Sequence, residues 1–197
     1  LPFEEVAYWP ELSEIYDWTQ TNVHNTLNIC WGAQAALYHF YGTPKHQLAA
    51  KMFGIFPHQV VKHHSILLRG FADEFMVPVS RHTETRGDDL PQLDGIEVLA
   101  ESDDAGLCIV RDRLKNQIYM FNHLEYDSGT LGEEYQRDLQ ANQVAGAEIQ
   151  LPVNYFPGDD PTKKPLNRWR SHAHLLYGNW INEIYQTTPY DMNQIGT

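Results

Sequence analysis

Cys30 stands where a short segment, Thr26-Leu27-Asn28-Ile29, gives way to the stretch Trp31-Gly32-Ala33-Gln34-Ala35-Ala36-Leu37. The first reads as a strand and the second as a helix, so the cysteine is expected at a sharp strand-to-helix turn. A turn of that kind lifts a side chain above the sheet. It also aims the N–H groups and positive dipole end of the following helix toward that side chain. Such surroundings favour a thiolate, the attacking form of a cysteine. Gly32 permits the tight bend, and the backbone N–H of Trp31 is a candidate oxyanion donor. The plainer alternative, a buried cysteine acting as a small hydrophobe, stays open at this point. Cys108, inside Leu107-Cys108-Ile109-Val110, fits that alternative better.

A cysteine nucleophile needs a base, and the base benefits from a carboxylate that fixes its tautomer. His123-Leu124-Glu125 offers both. In an extended segment residues two apart face the same way, so His123 and Glu125 are expected on one face with Leu124 turned inward. Asp127 is a competing orienter, and with ten histidines in the chain a solvated surface histidine is a standing alternative. The other histidines give no metal-ligand spacing. His63 and His64 are adjacent and diverge, and His172 and His174 are poorly placed for one helical face. No metal is expected.

These residues need elements to hold them. Residues 11–23 read as an amphipathic helix with Leu12, Ile15, Tyr16 and Trp18 as apolar positions, and 33–41 read as a second helix stopped by Gly42 and Pro44. Strands are expected at 26–30, 52–61, 64–69, 75–80, 96–101, 107–111 and 117–122, the last ending at His123. Pro78 argues for an edge position or a strand end. Residues 130–142 read as helix, 152–168 as a Pro- and Asp-rich loop, and 169–186 as a last helix. Strands mixed with helices give an α/β layered domain, and the hairpin-like 96–122 region makes its sheet mixed.

The 197 residues suit one globular domain, and 42% hydrophobic content supports a sizeable core. A formal charge of −12 argues against a nucleic-acid partner, since such a surface repels phosphate backbones. No apolar run approaches the roughly 18 residues that span a bilayer, and no signal-peptide pattern opens the chain. Two widely spaced cysteines then fit a reduced, cytoplasmic protein with no membrane partner. The chain opens Leu1-Pro2-Phe3 without Met and is short of opening strands, so an N-terminal portion is expected to be missing.

In combination the segments are more specific. Cys30 to Leu37 resembles the nucleophile turn of the homoserine O-acyltransferases of the homoserine O-succinyltransferase type. Tyr41-Gly42-Thr43-Pro44-Lys45, Lys51-Met52-Phe53-Gly54, Ser80-Arg81-His82-Thr83-Glu84 and His123-Leu124-Glu125-Tyr126-Asp127 follow in that family's order. So do Asn154-Tyr155-Phe156-Pro157, Asp159-Asp160-Pro161, Trp169-Arg170-Ser171-His172, Asn179-Trp180-Ile181-Asn182 and Thr188-Pro189-Tyr190-Asp191.

The resemblance implies a three-layer α/β sandwich like the class I glutamine amidotransferases, a flavodoxin-like arrangement with a Cys-His-Glu triad. It implies one catalytic domain over 1–197, lacking its N-terminal strands. It implies ping-pong acyl transfer in methionine biosynthesis, from acetyl-CoA or succinyl-CoA to homoserine, with acetyl slightly favoured. No further cofactor is implied, and a homodimer is. Cys30 matches the acyl-thioester position, His123 the proton acceptor and Glu125 its partner; Lys51, Ser80 and Arg137 match substrate contacts. Arg137 suits a bidentate grip on an amino-acid carboxylate.

Two departures stand out. Many members have Thr-Gly-His-Pro-Glu where this chain has Phe121-Asn122-His123-Leu124-Glu125, a change that fits an altered acceptor such as serine. The position that separates acetyl from succinyl donors falls ahead of Leu1. The alternatives are a serine O-acetyltransferase of cysteine biosynthesis, a Cys-His-Glu amidotransferase or hydrolase acting on a glutamine-like amide, and a non-catalytic assembly module.

Overall fold

A computed structural model describes residues 1–142 and 149–189. Tyr190 and Asp191 of the last family-like segment lie outside the described residues. The elements run α1 (Trp9–Asn22), β1 (Thr26–Ile29), α2 (Trp31–Tyr41), β2 (His46–Val60), β3 (Glu74–Glu84), β4 (Ile96–Ser102), β5 (Gly106–Asp112), β6 (Gln117–Met120), α3 (Thr130–Asn142) and α4 (Arg170–Thr187). The six strands form one mixed sheet in the order β1-β6-β5-β4-β2-β3. Only β1 and β6 pair in parallel; the other ladders are antiparallel.

Alternation along the strands builds a core on each face. In β6, Ile118 and Met120 join one cluster, which Leu131 of α3 and Ala173 and Leu176 of α4 cover. Tyr119 and Phe121 point the other way, toward Tyr16 of α1 and Ala33 to Leu37 of α2. This period-two split puts helices on both faces and gives the expected three layers. In α1 the inward stripe is Trp9, Leu12, Tyr16 and Thr19, while Ile15 and Trp18 stay about half exposed. Pro10 sits in the first turn of α1, where its missing N–H costs nothing. Gly42 ends α2 in the left-handed conformation, φ 68°, with its N–H donating to Tyr38 O at 2.8 Å.

Two sequence expectations change. The strand expected at 52–61 is part of a longer β2 that begins at His46, ends at Val60 and absorbs a register shift between Gln47 and Met52. Residues 64–69 are not a strand. Ser65, Leu68 and Arg69 bond back three residues to Lys62, Ser65 and Ile66, giving a 3-10 turn whose Leu67 and Leu68 are buried. Asn179 of α4 fixes that turn through a 3.0 Å bond to Leu67 O. The apolar run therefore signalled burial under a helix rather than a ladder.

Pro78 lies in β3, which closes the sheet order, as an edge proline should. Yet the outer side of β3 is engaged. The sheet curls until the segment just beyond β6 reaches it, and the His123 N–H donates to Pro78 O at 2.9 Å.

The loop before the first turn of residues 157–159 packs onto β2. Val153 brackets Gly54, donating to Phe53 O and accepting from Ile55 N–H. A Cβ on Gly54 would meet Val153 O at 2.4 Å, and its φ of 147° disfavours any side chain. Gly54→Ala should therefore lower unfolding free energy by about 2–3 kcal/mol in urea denaturation. An unchanged midpoint would show that the loop yields.

Candidate active site

Cys30 leaves β1 one residue past its last ladder partner. Its N–H continues the ladder, donating to Met120 O at 2.7 Å, while its φ of 50° and ψ of −117° turn the chain abruptly into α2. A positive φ in a non-glycine residue costs about 1–3 kcal/mol and persists only where the surroundings impose it. Here the β6 ladder holds one side and α2 the other. Helix bonding in α2 starts with the N–H groups of Ala33 and Gln34, both donating to Cys30 O. The Trp31 N–H is thus outside the helix ladder, as an oxyanion donor must be. Gln34 ties the helix to β3 through Thr83, donating to its carbonyl at 3.1 Å and accepting from its hydroxyl at 2.8 Å. Cys30 Sγ lies 4.0 Å from Ser80 O on the same strand.

His123 reaches the cysteine from the far side, off the end of β6. That strand stops at Met120, so His123 and Glu125 meet in a turn and not in an extended segment. The turn is closed by Tyr126 N–H donating to His123 O, and Leu124 is buried as expected. His123 Nδ1 lies 2.6 Å from Glu125 Oε1, which leaves Nε2 for Cys30. Glu125, and not Asp127, is the orienter. Tyr126 stacks on the imidazole with centroids 4.2 Å apart and planes 19° off parallel.

Burial is the largest influence on His123 and disfavours its charged form. Hydrogen bonds to Cys30 and Glu125, and the charges of both, outweigh it and push the pKa up to about 9. The ring therefore carries a proton at neutral pH. Burial, then the charges of Glu134, Cys30 and Glu125, push the Tyr126 phenol up, so it stays protonated. The raised His123 value stabilises the fold fully below its unfolded pKa of about 6.5, and this contribution is lost as pH rises through the folded value. The unfolding free energy of the unsubstituted chain should fall between pH 6.5 and 9.5 by more than that of Glu125→Gln. Parallel pH dependences in urea would show that Glu125 does not hold the imidazolium.

A second cluster adjoins the first. Lys51 Nζ lies 2.7 Å from both Glu134 Oε1 and Asp138 Oδ2 and 4.0 Å from the Phe53 ring centroid. Ser80 Oγ donates to the same Glu134 oxygen at 2.5 Å. Arg137 shares α3 with these acids; it is exposed, yet near enough to Tyr126 for its charge to favour the phenolate. All three sequence-derived substrate contacts thus surround one helix. Glu134 and Tyr126 were not singled out from the sequence. The spacing of Glu134, Arg137 and Asp138 on one helical face was the available signal. A cleft of about 860 Å³ opens on the α2 side of Cys30 between Phe3, Trp31, Lys45 and Ser80.

The family model for homoserine O-succinyltransferase matches residues 1–190. The chain belongs to that family. A homoserine O-acetyltransferase of Rhizobium leguminosarum bv. trifolii is 57% identical over 196 residues, covering 100% of this chain and 62% of that relative. One from Cereibacter sphaeroides is 58% identical, with 100% and 63% covered. The chain thus spans a little over three fifths of the length of these curated relatives. Among solved structures, a glutamine amidotransferase from Thermotoga maritima superposes with a TM-score of 0.64 at 14% identity, covering 94% of this chain and 71% of that one. One from Methylobacillus flagellatus gives 0.60 at 16% identity, covering 89% and 70%. These likenesses establish the fold. No helix among the described residues of this homoserine O-succinyltransferase family member is long and apolar enough to cross a membrane.

Proposed function

We propose that the chain is the catalytic part of an acyl-CoA-dependent homoserine O-acyltransferase working through a Cys30 thioester. The observation that carries this reading is the convergence of Cys30, His123 and Glu125 beside the Lys51–Glu134–Ser80 cluster. The first group supplies a nucleophile and a proton carrier, and the second supplies charges suited to an amino-acid acceptor.

The Cys30 sulfur attacks the thioester carbonyl, and the negative oxygen that forms is held by the Trp31 N–H. The carbon–sulfur bond to CoA then breaks, and His123 gives its proton to the departing sulfur. The ring, now neutral, takes the hydroxyl proton of the acceptor, whose oxygen attacks the Cys30 thioester. Departure of the Cys30 thiolate restores the starting pair. Glu134 is suited to the acceptor ammonium and Arg137 to its carboxylate.

The names of the relatives favour acetyl-CoA as donor and homoserine as acceptor. Succinyl-CoA and serine are the runners-up. The proposal includes a cytoplasmic homodimer serving methionine biosynthesis, with no cofactor beyond the acyl-CoA. Incubation with acetyl-CoA or succinyl-CoA, followed by intact-mass measurement, should show one acyl group gained and then discharged by homoserine or serine. Ammonia release from glutamine without acyl transfer would move the reading to an amidotransferase. Arg137→Met should raise the acceptor KM about 100-fold in steady-state kinetics with little effect on acylation by the donor. An unchanged KM would remove Arg137 from the acceptor site.

A further inference from the structure

Arg81 follows Ser80 in β3 and lines the same cleft as Cys30, but only 7% of it is exposed. A buried guanidinium is expensive unless an anion answers it. Among the described residues no carboxylate lies within ion-pair distance of Arg81, and its Nε–H has no acceptor. Its other nitrogens are held by neutral groups: Nη1 donates to Asn122 Oδ1 and Nη2 to Ala105 O. Asn122 is itself fully buried. Its Nδ2 donates to His58 Nε2 at 2.8 Å, and His58 Nδ1 donates in turn to Phe56 O at 2.9 Å. Burial is the main reason that the His58 pKa is pushed down to about 4, so the ring stays a neutral acceptor for Asn122.

The ionisable groups whose charge acts on Arg81 are Cys30, Glu84 and Cys108, in that order. Glu84 is engaged by Arg86 at 3.0 Å. Burial outweighs contacts with Asn122 and Arg81 and pushes the Cys108 thiol up to about 12, so it stays neutral. Of the three, Cys30 is the one that lines the same cleft as Arg81, so its sulfur is the group this cation meets there.

We propose that Arg81 is a positioning residue that sets a fixed positive charge beside the Cys30 sulfur, held there by Asn122 and, through it, by His58. The charge steadies negative sulfur and the oxyanion formed on it. The inference rests on Cys30 being the nucleophile, but its test does not require acyl transfer.

Cys30 of the 197-residue chain is alkylated in parallel by iodoacetate and by neutral iodoacetamide, with the modified peptide quantified by mass spectrometry. In both reactions the sulfur displaces iodide. Because the same thiolate attacks both reagents, their rate ratio cancels changes in thiolate content and reports the local charge. Arg81→Gln should lower the iodoacetate-to-iodoacetamide ratio about tenfold, while Arg81→Lys should stay within about threefold of the unsubstituted chain. Equal losses in both variants, or none in Arg81→Gln, would overturn the proposal. Should Arg81→Gln fail to fold, Asn122→Ala carries the test. It leaves the cation present but unfixed and should lower the ratio about threefold; an unchanged ratio overturns the proposal. Alkylation proceeding with the expected ratios while no acyl adduct forms would uphold Arg81 and reject the acyl-transfer reading.

Discussion

Cys30→Ala should form no acyl adduct with either donor, and turnover should fall by at least about 10⁴-fold, because no other group can take the nucleophile's place. The only other thiol among the described residues, Cys108, is fully buried and kept protonated by burial. Side-chain size changes little, and alanine inherits the same positive φ. The variant should therefore melt within a few degrees of the unsubstituted chain, so loss of the adduct would not reflect unfolding. Intact-mass spectra recorded before any acceptor is added check this directly. A persistent single adduct on the alanine variant would place the nucleophile elsewhere and dismantle the Cys-His-Glu assignment.

His123→Ala should lower turnover about 10³- to 10⁴-fold while leaving the acceptor KM within a few-fold of its value. The ring sits between two tasks. In the proposed reaction it would give a proton to the CoA sulfur in the first half-reaction and take one from the acceptor hydroxyl in the second. Both the rate of adduct formation and the rate of its discharge should therefore fall in rapid-quench experiments. Slowing confined to discharge would mean that another group protonates CoA. Glu125→Gln should fall between the extremes, about 10²-fold down, since the amide can still accept from Nδ1–H but no longer steadies the imidazolium by charge.

Much of this could be read from the chain because the relevant signals were local. Apolar spacing and the Gly42 stop marked α2, and the polar spacing of α3 gave its limits at Thr130 and Asn142. The family-like segments carried the triad. The pairing of His123 with Glu125 was reached through the wrong backbone: alternation in a strand and a three-residue turn both bring i and i+2 together, and only the early end of β6 separates them. Glu134, Arg81 and His58 were not legible as site residues. Each looks like an ordinary charge or histidine until distant strands bring it to its partner. The 64–69 run reads as a strand yet forms a 3-10 turn, because apolar residues under a helix and in a ladder share one composition. The pattern records which residues are buried but not what buries them.

The curl of the sheet has a consequence of its own. Cys30 and His123 issue from the β1–β6 end, whereas Ser80 and Pro78 belong to the opposite terminal strand, β3. The site is therefore a seam where two ends of one sheet meet. It is stitched by the His123–Pro78 bond, the Gln34–Thr83 pair and Arg81–Asn122, with few of the ladder bonds that hold the sheet's interior. Partial opening of that seam would part Cys30, His123 and the Lys51–Glu134–Ser80 cluster at once while both cores stayed packed. Thermal or denaturant stress would thus silence the chain well before it unfolded it, and a ligand bridging the two ends would act as the missing stitch.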